Sequence, residues 1–220
     1  MTDFLQPPTP PLHIGDEAPN FTARSTMGPV TLSDYRGRWV VFFSHPADFT
    51  PVCTSEFVAL AKAAPRFEAL GCALLALSID SLYAHLAWVR AIQDGFAVTV
   101  PFPIVEDPSM VIGRGYAMLN PDAPDSGTLR HTLFIDPGGI IRAITSYPVS
   151  IGRSVDEMLR ALAALQHFDA TGEVTPADWQ PGTTALSPAY EAQDAMLKDS
   201  TGKDGMGKDG SLWFHREGKA

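Results

Sequence analysis

The sequence predicts an α/β fold, with strands and helices alternating about one mixed sheet, and three observations carry that prediction. "WVVFFS" at 39–44 is a short, unbroken apolar run rich in β-branched and aromatic residues, and "CALLALSI" at 72–79 is a second apolar run; both have the pattern of strands buried on two faces. Between them, "TSEFVALAKAAPRFEALG" sets Phe57, Leu60, Ala61, Ala64, Phe67 and Leu70 close to helical spacing, with Gly71 placed to end the helix. Strand, helix and strand make a βαβ unit.

The elements that follow extend the alternation. "SLYAHLAWVRAIQDG" reads as a helix with Leu82, Leu86, Val89 and Ile92 on one face and Gly95 as its stop, and "FPIVED" as a third short strand. "HTLFIDPGGIIRAITSY" is two β-rich runs about Asp-Pro-Gly-Gly, a hairpin signal. "SVDEMLRALAALQHF" opens with Ser154 as N-cap and Glu157 three residues on, a capping box before an apolar face. A βαβ unit first and a hairpin plus helix last is the order of a thioredoxin-like fold, whose functional loop follows the first strand of that unit. After Thr171 the texture turns Gly-, Pro- and Asp-rich with isolated aromatics. The expected organisation is a thioredoxin-like domain over 1–170 and a small C-terminal extension over 171–220 that packs on a neighbour.

Composition narrows the function classes. The chain has 220 residues, 45% hydrophobic and 19% charged, which is enough to bury a core. A net charge of -9 without a basic run argues against a nucleic-acid partner. The N-terminus lacks a basic start and an apolar stretch of signal length, and no later run approaches a membrane span, so the expectation is a cytoplasmic protein without membrane contact. Two cysteines in such a chain are expected to stay thiols. "GMGKDG" at 205–210 and "GKDGMGKD" at 202–209 imitate nucleotide-binding loops, but neither follows a buried strand or opens a helix; they read as a turn before a strand "SLWFHRE".

Cys53 stands where the strand at 39–44 has ended, a Pro-containing loop has turned, and a helix begins. Its sulfur then lies in the first helical turn, beside unpaired N–H groups and the positive end of the helix dipole, and both favour the thiolate, the reactive form. The bland alternative is a small core residue. A dithiol couple would need a second cysteine three positions earlier, and Thr50 is there instead. A threonine hydroxyl can donate and accept, which suits holding a polar substrate against the sulfur, and the Pro46 ring can close one side of a pocket and limit water.

Pro46, Thr50 and Cys53 reproduce Pro-x-x-x-Thr-x-x-Cys, and the string "FSHPADFTPVCTSE" resembles the active site of peroxiredoxins, the one-cysteine or peroxiredoxin 6 subfamily in particular. The resemblance continues through "LSIDS", "HLAW", "PFPI", "YPVSIGRSVDEMLRAL" and "TPADWQPG", and covers nearly the whole chain. It implies reduction of hydrogen peroxide and organic hydroperoxides without metal or organic cofactor, and an extension that contributes to a homodimer, with a decameric ring as a further assembly. It also implies that Thr50, backbone N–H groups and Arg130, in "TLRHTLFID", surround the sulfur of Cys53 as it attacks a peroxide oxygen. Against these stand plain readings: a strand-end arginine is ordinarily a solvated charge. Glu56 matches the acidic residue that orients the arginine, or is an exposed helix-start carboxylate. Arg153 matches a second arginine near the pocket, or forms a loop ion pair. His45 matches the histidine beside the pocket, or is a hydrogen-bonded strand-end residue.

Cys72 opens an apolar strand, where burial raises a thiol's pKa and hides it, so it is not expected to resolve an oxidised Cys53. The extension holds no cysteine. An external thiol reductant is the implied partner. A phospholipase activity carried by some relatives needs a serine where Arg38 stands in "YRGRWVV". The remaining alternative is a non-enzymatic one: an oligomeric holdase or redox relay.

Overall fold

A computed structural model describes residues 12–119, 127–191 and 215–218. The chain divides into two compact units, Met1–Val155 and Asp156–Ala220.

The first unit is built on a seven-stranded mixed sheet in the order β2-β1-β5-β4-β3-β6-β7. Its strands are β1 (Thr22–Ser25), β2 (Gly28–Thr31), β3 (Trp39–Ser44), β4 (Cys72–Ser78), β5 (Ile104–Glu106), β6 (Arg130–Ile135) and β7 (Ile141–Tyr147), with helices α1 (Pro51–Ala69), α2 (Leu82–Phe96) and α3 (Val111–Gly115) between them. β3 pairs parallel with β4, from Trp39↔Cys72 to Ser44↔Leu77, and antiparallel with β6 on its other side. β3 reads as one apolar run because both its faces are covered. Phe42 meets Phe21 and Tyr116 on one face, and Phe43 meets Phe57 and Phe102 on the other.

The βαβ unit, the third strand and the final hairpin lie where the sequence places them. Gly71, at φ +61, follows the end of α1 in the left-handed region that glycine tolerates. Asp136–Gly139 turns the β6–β7 hairpin, with the Asp136 carboxylate accepting from Ile140 N–H.

Two expectations for α2 are corrected. The buried face carries His85, Trp88 and Ile92, while Leu86 is 44% exposed. An aliphatic stripe was the wrong marker: His85 and Trp88 each have a hydrogen-bond partner inside, which lets polar-tipped rings face the core. The helix also runs through Gly95 and stops where Ala97 turns left-handed at φ +53. The β1–β2 hairpin and α3 add to the sequence reading.

The second unit begins in the first turn of α4 (Val155–Thr171), which starts directly after Ser154. Within it, Trp179 is buried, donates to the Thr183 carbonyl and packs its ring against His167. The turn expected at 202–210 and residues 211–214 of the strand expected from "SLWFHRE" lie outside the described residues; of the rest, Glu217 forms an isolated antiparallel bridge with Leu186.

Candidate active site

The site is assembled where β3 ends. Pro51 occupies the first turn of α1, a position that needs no N–H, and the first intrahelical bond runs from Thr54 N–H to the Thr50 carbonyl. The Val52 and Cys53 N–H groups therefore precede the helical ladder. Cys53 is the third residue of α1, and it is 0% exposed.

Arg130 reaches the sulfur from the first residue of β6. Its Nη1 lies 3.3 Å from Cys53 Sγ and 2.7 Å from Glu56 Oε2. Nε and Nη2 donate to the Val149 carbonyl, at 3.1 and 2.7 Å, so the guanidinium is fixed on both edges. At 2% exposure Arg130 is not the solvated charge that a strand-end arginine ordinarily is.

Glu56, one turn on from Cys53, joins two arginines. Besides Arg130, it accepts from Arg153 backbone N–H at 2.7 Å, from Nε at 2.9 Å and from Nη2 at 2.8 Å. Burial alone would raise its carboxyl pKa, but the hydrogen bonds and charge of Arg153, with the charge of Arg130, outweigh it and hold Glu56 below the usual carboxylate range. Arg153 also donates to Thr132 Oγ1 and lies over the Phe43 ring. Two guanidinium groups against one carboxylate leave a surplus positive charge next to Cys53, which a negative sulfur or oxygen offsets.

Thr50 and Pro46 are half-buried on the loop leading into α1. Thr50 donates its hydroxyl hydrogen to the Ala47 carbonyl at 2.9 Å, so toward a peroxide O–H it stands as an acceptor. Phe49, beside it, is left-handed at φ +56 and 59% exposed.

His45 belongs to a separate hydrogen-bonded group. Its Nε2 lies 2.8 Å from Asp48 Oδ1, and His85 Nδ1 lies 2.7 Å from Asp48 Oδ2, with all three residues buried. The His45 ring stacks on Trp88 and meets Phe57 edge-on. Burial pushes the His45 pKa down, against the pull of Asp48, so the ring is held neutral. For Asp48, burial is outweighed by the two histidine hydrogen bonds, and its pKa is lowered.

The structure thus brings Cys53, Glu56, Arg130 and Arg153 into one bonded cluster, with Thr50 and Pro46 on the adjoining loop and His45 in the neighbouring group. Sequence reasoning missed the Val149 carbonyl, Thr132, Asp48 and His85. His85 and Trp88 were visible in "HLAW" as two rings one turn apart on a helix. Cys72 is 2% exposed, and burial pushes its thiol up to about 12.

Comparisons with known proteins bear on this geometry. The profile described as the AhpC/TSA family matches residues 14–144, and that described as the C-terminal domain of 1-Cys peroxiredoxin matches residues 164–200. A Peroxiredoxin 2 from Thermoplasma acidophilum is 46% identical over 185 residues, covering 84% of this chain and 92% of that protein. Among solved structures, a yeast mitochondrial 1-Cys peroxiredoxin, studied for its thiol resolving mechanism via glutathione/thioredoxin systems, superposes with a TM-score of 0.81 at 35% identity. That match covers 95% of this chain and 100% of the other. A cysteine-to-serine mutant of the peroxiredoxin 6 of Arenicola marina gives a TM-score of 0.80 at 30% identity, with coverage of 95% and 100%.

Proposed function

Because the chain belongs to the AhpC/TSA family of peroxiredoxins, we propose that Cys53 is its peroxidatic nucleophile and that Thr50, Pro46 and Arg130 form the surface on which a hydroperoxide reacts. The chain is a thiol-dependent peroxidase with a thioredoxin-like fold. The observation that carries the site assignment is Arg130 Nη1 at 3.3 Å from Cys53 Sγ, with the same nitrogen bonded to Glu56.

The chemistry follows from that geometry. The Cys53 thiolate attacks the terminal oxygen of the hydroperoxide in line; the S–O bond forms as the O–O bond breaks, and the leaving oxygen takes the electron pair and then a proton to depart as water or alcohol. Negative charge moves from sulfur to oxygen. Arg130 and the early N–H groups of α1 are placed to meet it, while Thr50 accepts the peroxide hydrogen and Pro46 limits water. Glu56 and Arg153 act through Arg130, by orienting it.

The sulfenic acid is reduced by an external thiol: one thiol forms a mixed disulfide and releases water, and a second thiol frees Cys53 and leaves as a disulfide. Cys72, buried at the start of β4, takes no part. The extension over 171–220 overlaps the match to the C-terminal domain of 1-Cys peroxiredoxin at 164–200, and we read it as a dimer-associated segment. β7 ends the sheet; the backbone of Ile141, at its start, bonds to Gly15 and Asp16, and the sheet edge beyond it is the template we propose for pairing with a second copy. A homodimer, with a decameric ring built from it, is the assembly we propose. We place it in the cytoplasm, in keeping with two free thiols.

The test compares Cys53→Ser with Cys72→Ser in peroxide turnover driven by glutathione or thioredoxin. Cys53→Ser should abolish turnover and Cys72→Ser should keep it. With one equivalent of peroxide and no reductant, dimedone should trap a sulfenic acid on Cys53. A stoichiometric disulfide between Cys53 and Cys72 would overturn the one-cysteine reading. Protection of client proteins that survives Cys53→Ser, in a protein without peroxide turnover, would favour the holdase instead.

A further inference from the structure

A thiol that reduces Cys53 sulfenic acid must contact a sulfur that is 0% exposed in the folded site. Hydrogen peroxide has two heavy atoms and needs little room. A thiol such as glutathione is far larger and must approach the sulfur opposite the S–O bond. The loop at 45–50 and the first turn of α1 therefore have to move between the two half-reactions, and what holds them becomes part of the reaction.

The holding contacts come from α2 and the turn before it. Asp48, in the middle of the loop, is bonded to His85 of α2 at 2.7 Å and to His45 at 2.8 Å. Its backbone N–H donates to Asp80 Oδ2 at 2.9 Å, and Trp88 Nε1–H of α2 donates to Thr54 Oγ1 in the first turn of α1 at 3.2 Å. A carboxylate is acceptor-only, so both imidazoles donate to Asp48, and His45 Nδ1 and His85 Nε2 are buried without a hydrogen-bond partner among the described residues. The three side chains also have ligand atoms within 4.8 Å of one another, close enough for a cation. To ligate a cation, the two nitrogens that face Asp48 would first have to give up their protons, and His45 Nδ1 and His85 Nε2, the other ring positions, are buried with no acceptor among the described residues, which disfavours a cation here.

A second observation lies next to this group. Phe49 is a bulky residue at φ +56, a conformation that persists only where the neighbours impose it. Asp48 on one side is held by two histidines, and Thr50 on the other by its bond to the Ala47 carbonyl. Once Asp48 is released, Phe49 relaxes toward ordinary backbone angles, so the loop stores a drive to open.

We propose that Asp48 and His85 are positioning residues of the peroxidase reaction: their bond latches loop 45–50 and the first turn of α1 onto α2, keeping Cys53 in its peroxide-reactive place, and its release admits the reducing thiol. This inference rests on Cys53 being the reacting sulfur. Neither Asp48 nor His85 touches the sulfur, and both act through the loop.

The two half-reactions separate the latch from simple structural support. In stopped-flow experiments, Asp48→Asn and His85→Phe should slow oxidation by hydrogen peroxide at least 10-fold and speed reduction of the preformed sulfenic acid by glutathione at least 3-fold. Unchanged rates, or equal falls in both half-reactions, would overturn the latch, as would a stoichiometric metal in the purified wild type. If neither variant folds, amide exchange on the reduced wild type decides it: the Asp48 and Thr54 N–H groups should exchange as slowly as those of α2, and exchange at the rate of an open loop would refute the proposal. Mass spectrometry of the oxidised wild type tests the underlying reading separately. Oxidation elsewhere than Cys53 refutes that reading, whereas oxidation at Cys53 with half-reactions that do not diverge refutes only the latch.

Discussion

Glu56 accepts three hydrogen bonds from Arg153 and one from Arg130, and that asymmetry sorts the effects of substitution. Glu56→Gln leaves two buried guanidinium groups facing each other without their counter-charge. It should cost about 3 kcal/mol of stability, measurable by chemical denaturation, because breaking a buried pair strands the remaining charge. Arg130→Met should spare more of the fold, since Arg153 still satisfies Glu56, but slow peroxide reduction by roughly 10²-fold or more, because a donor that meets transition-state charge is gone. A near-wild-type rate would exclude Arg130 from the site. At this scale the sequence made the position of Cys53 legible, in the first turn of a helix that follows a Pro-containing loop. The Val149 carbonyl has no side-chain signature. Asp48 and His85 meet across 37 positions, a separation that no local pattern encodes.

At the scale of elements, legibility followed the strength of the periodic signal. β3 and β4, buried on both faces, and the turn signal of the β6–β7 hairpin were readable. The four-residue strands β1 and β2, the latter opening with Gly28–Pro29, are too short to display a period. α2 was found but rotated, because its inward face carries His85 and Trp88 in place of an aliphatic stripe. The end of the same helix offers a stability test. Ala97 holds φ +53, where a Cβ is strained and glycine is not. Ala97→Gly should stabilise the protein by about 1 kcal/mol, read as a rise in the denaturation midpoint, with peroxidase activity unchanged; a fall would show that the cap geometry is carried by contacts of the Ala97 methyl group.

For the whole molecule, several buried groups bias stability in the same direction with pH. Burial lowers His45 and His131 from the ordinary value of 6.5. Asp48 and Glu56, buried yet held by hydrogen bonds, lie below their ordinary values of 3.8 and 4.5. In each case the unfolded chain binds a proton that the folded chain refuses, so the stabilisation is full above the unfolded pKa and is lost as pH falls toward the folded one. The thermal midpoint should be level between about pH 7 and 9, decline as pH drops through 6.5 while the histidines titrate, and decline again below 4.5; above pH 9 it should fall as well, because the buried Cys72 keeps a proton that the unfolded chain releases. A midpoint that rises between pH 7 and 5.5 would contradict the histidine part of this account.

The register of β3 on β4 has an analytical use. Trp39 pairs with Cys72 at one end of the strands and Ser44 with Leu77 at the other. Five residue steps of about 3.3 Å put roughly 16 Å of sheet between Cys72 and the end of β3, beyond which Cys53 lies. The proposed reacting thiol is therefore beyond one end of the paired strands and the other is shut away at the opposite end, so each chain carries its own internal standard. In a sample quenched after peroxide, unfolded and alkylated, the label on Cys72 counts the protein present and the label on Cys53 counts what escaped oxidation. Their ratio gives the oxidised fraction free of errors in concentration or recovery, including in crude extracts.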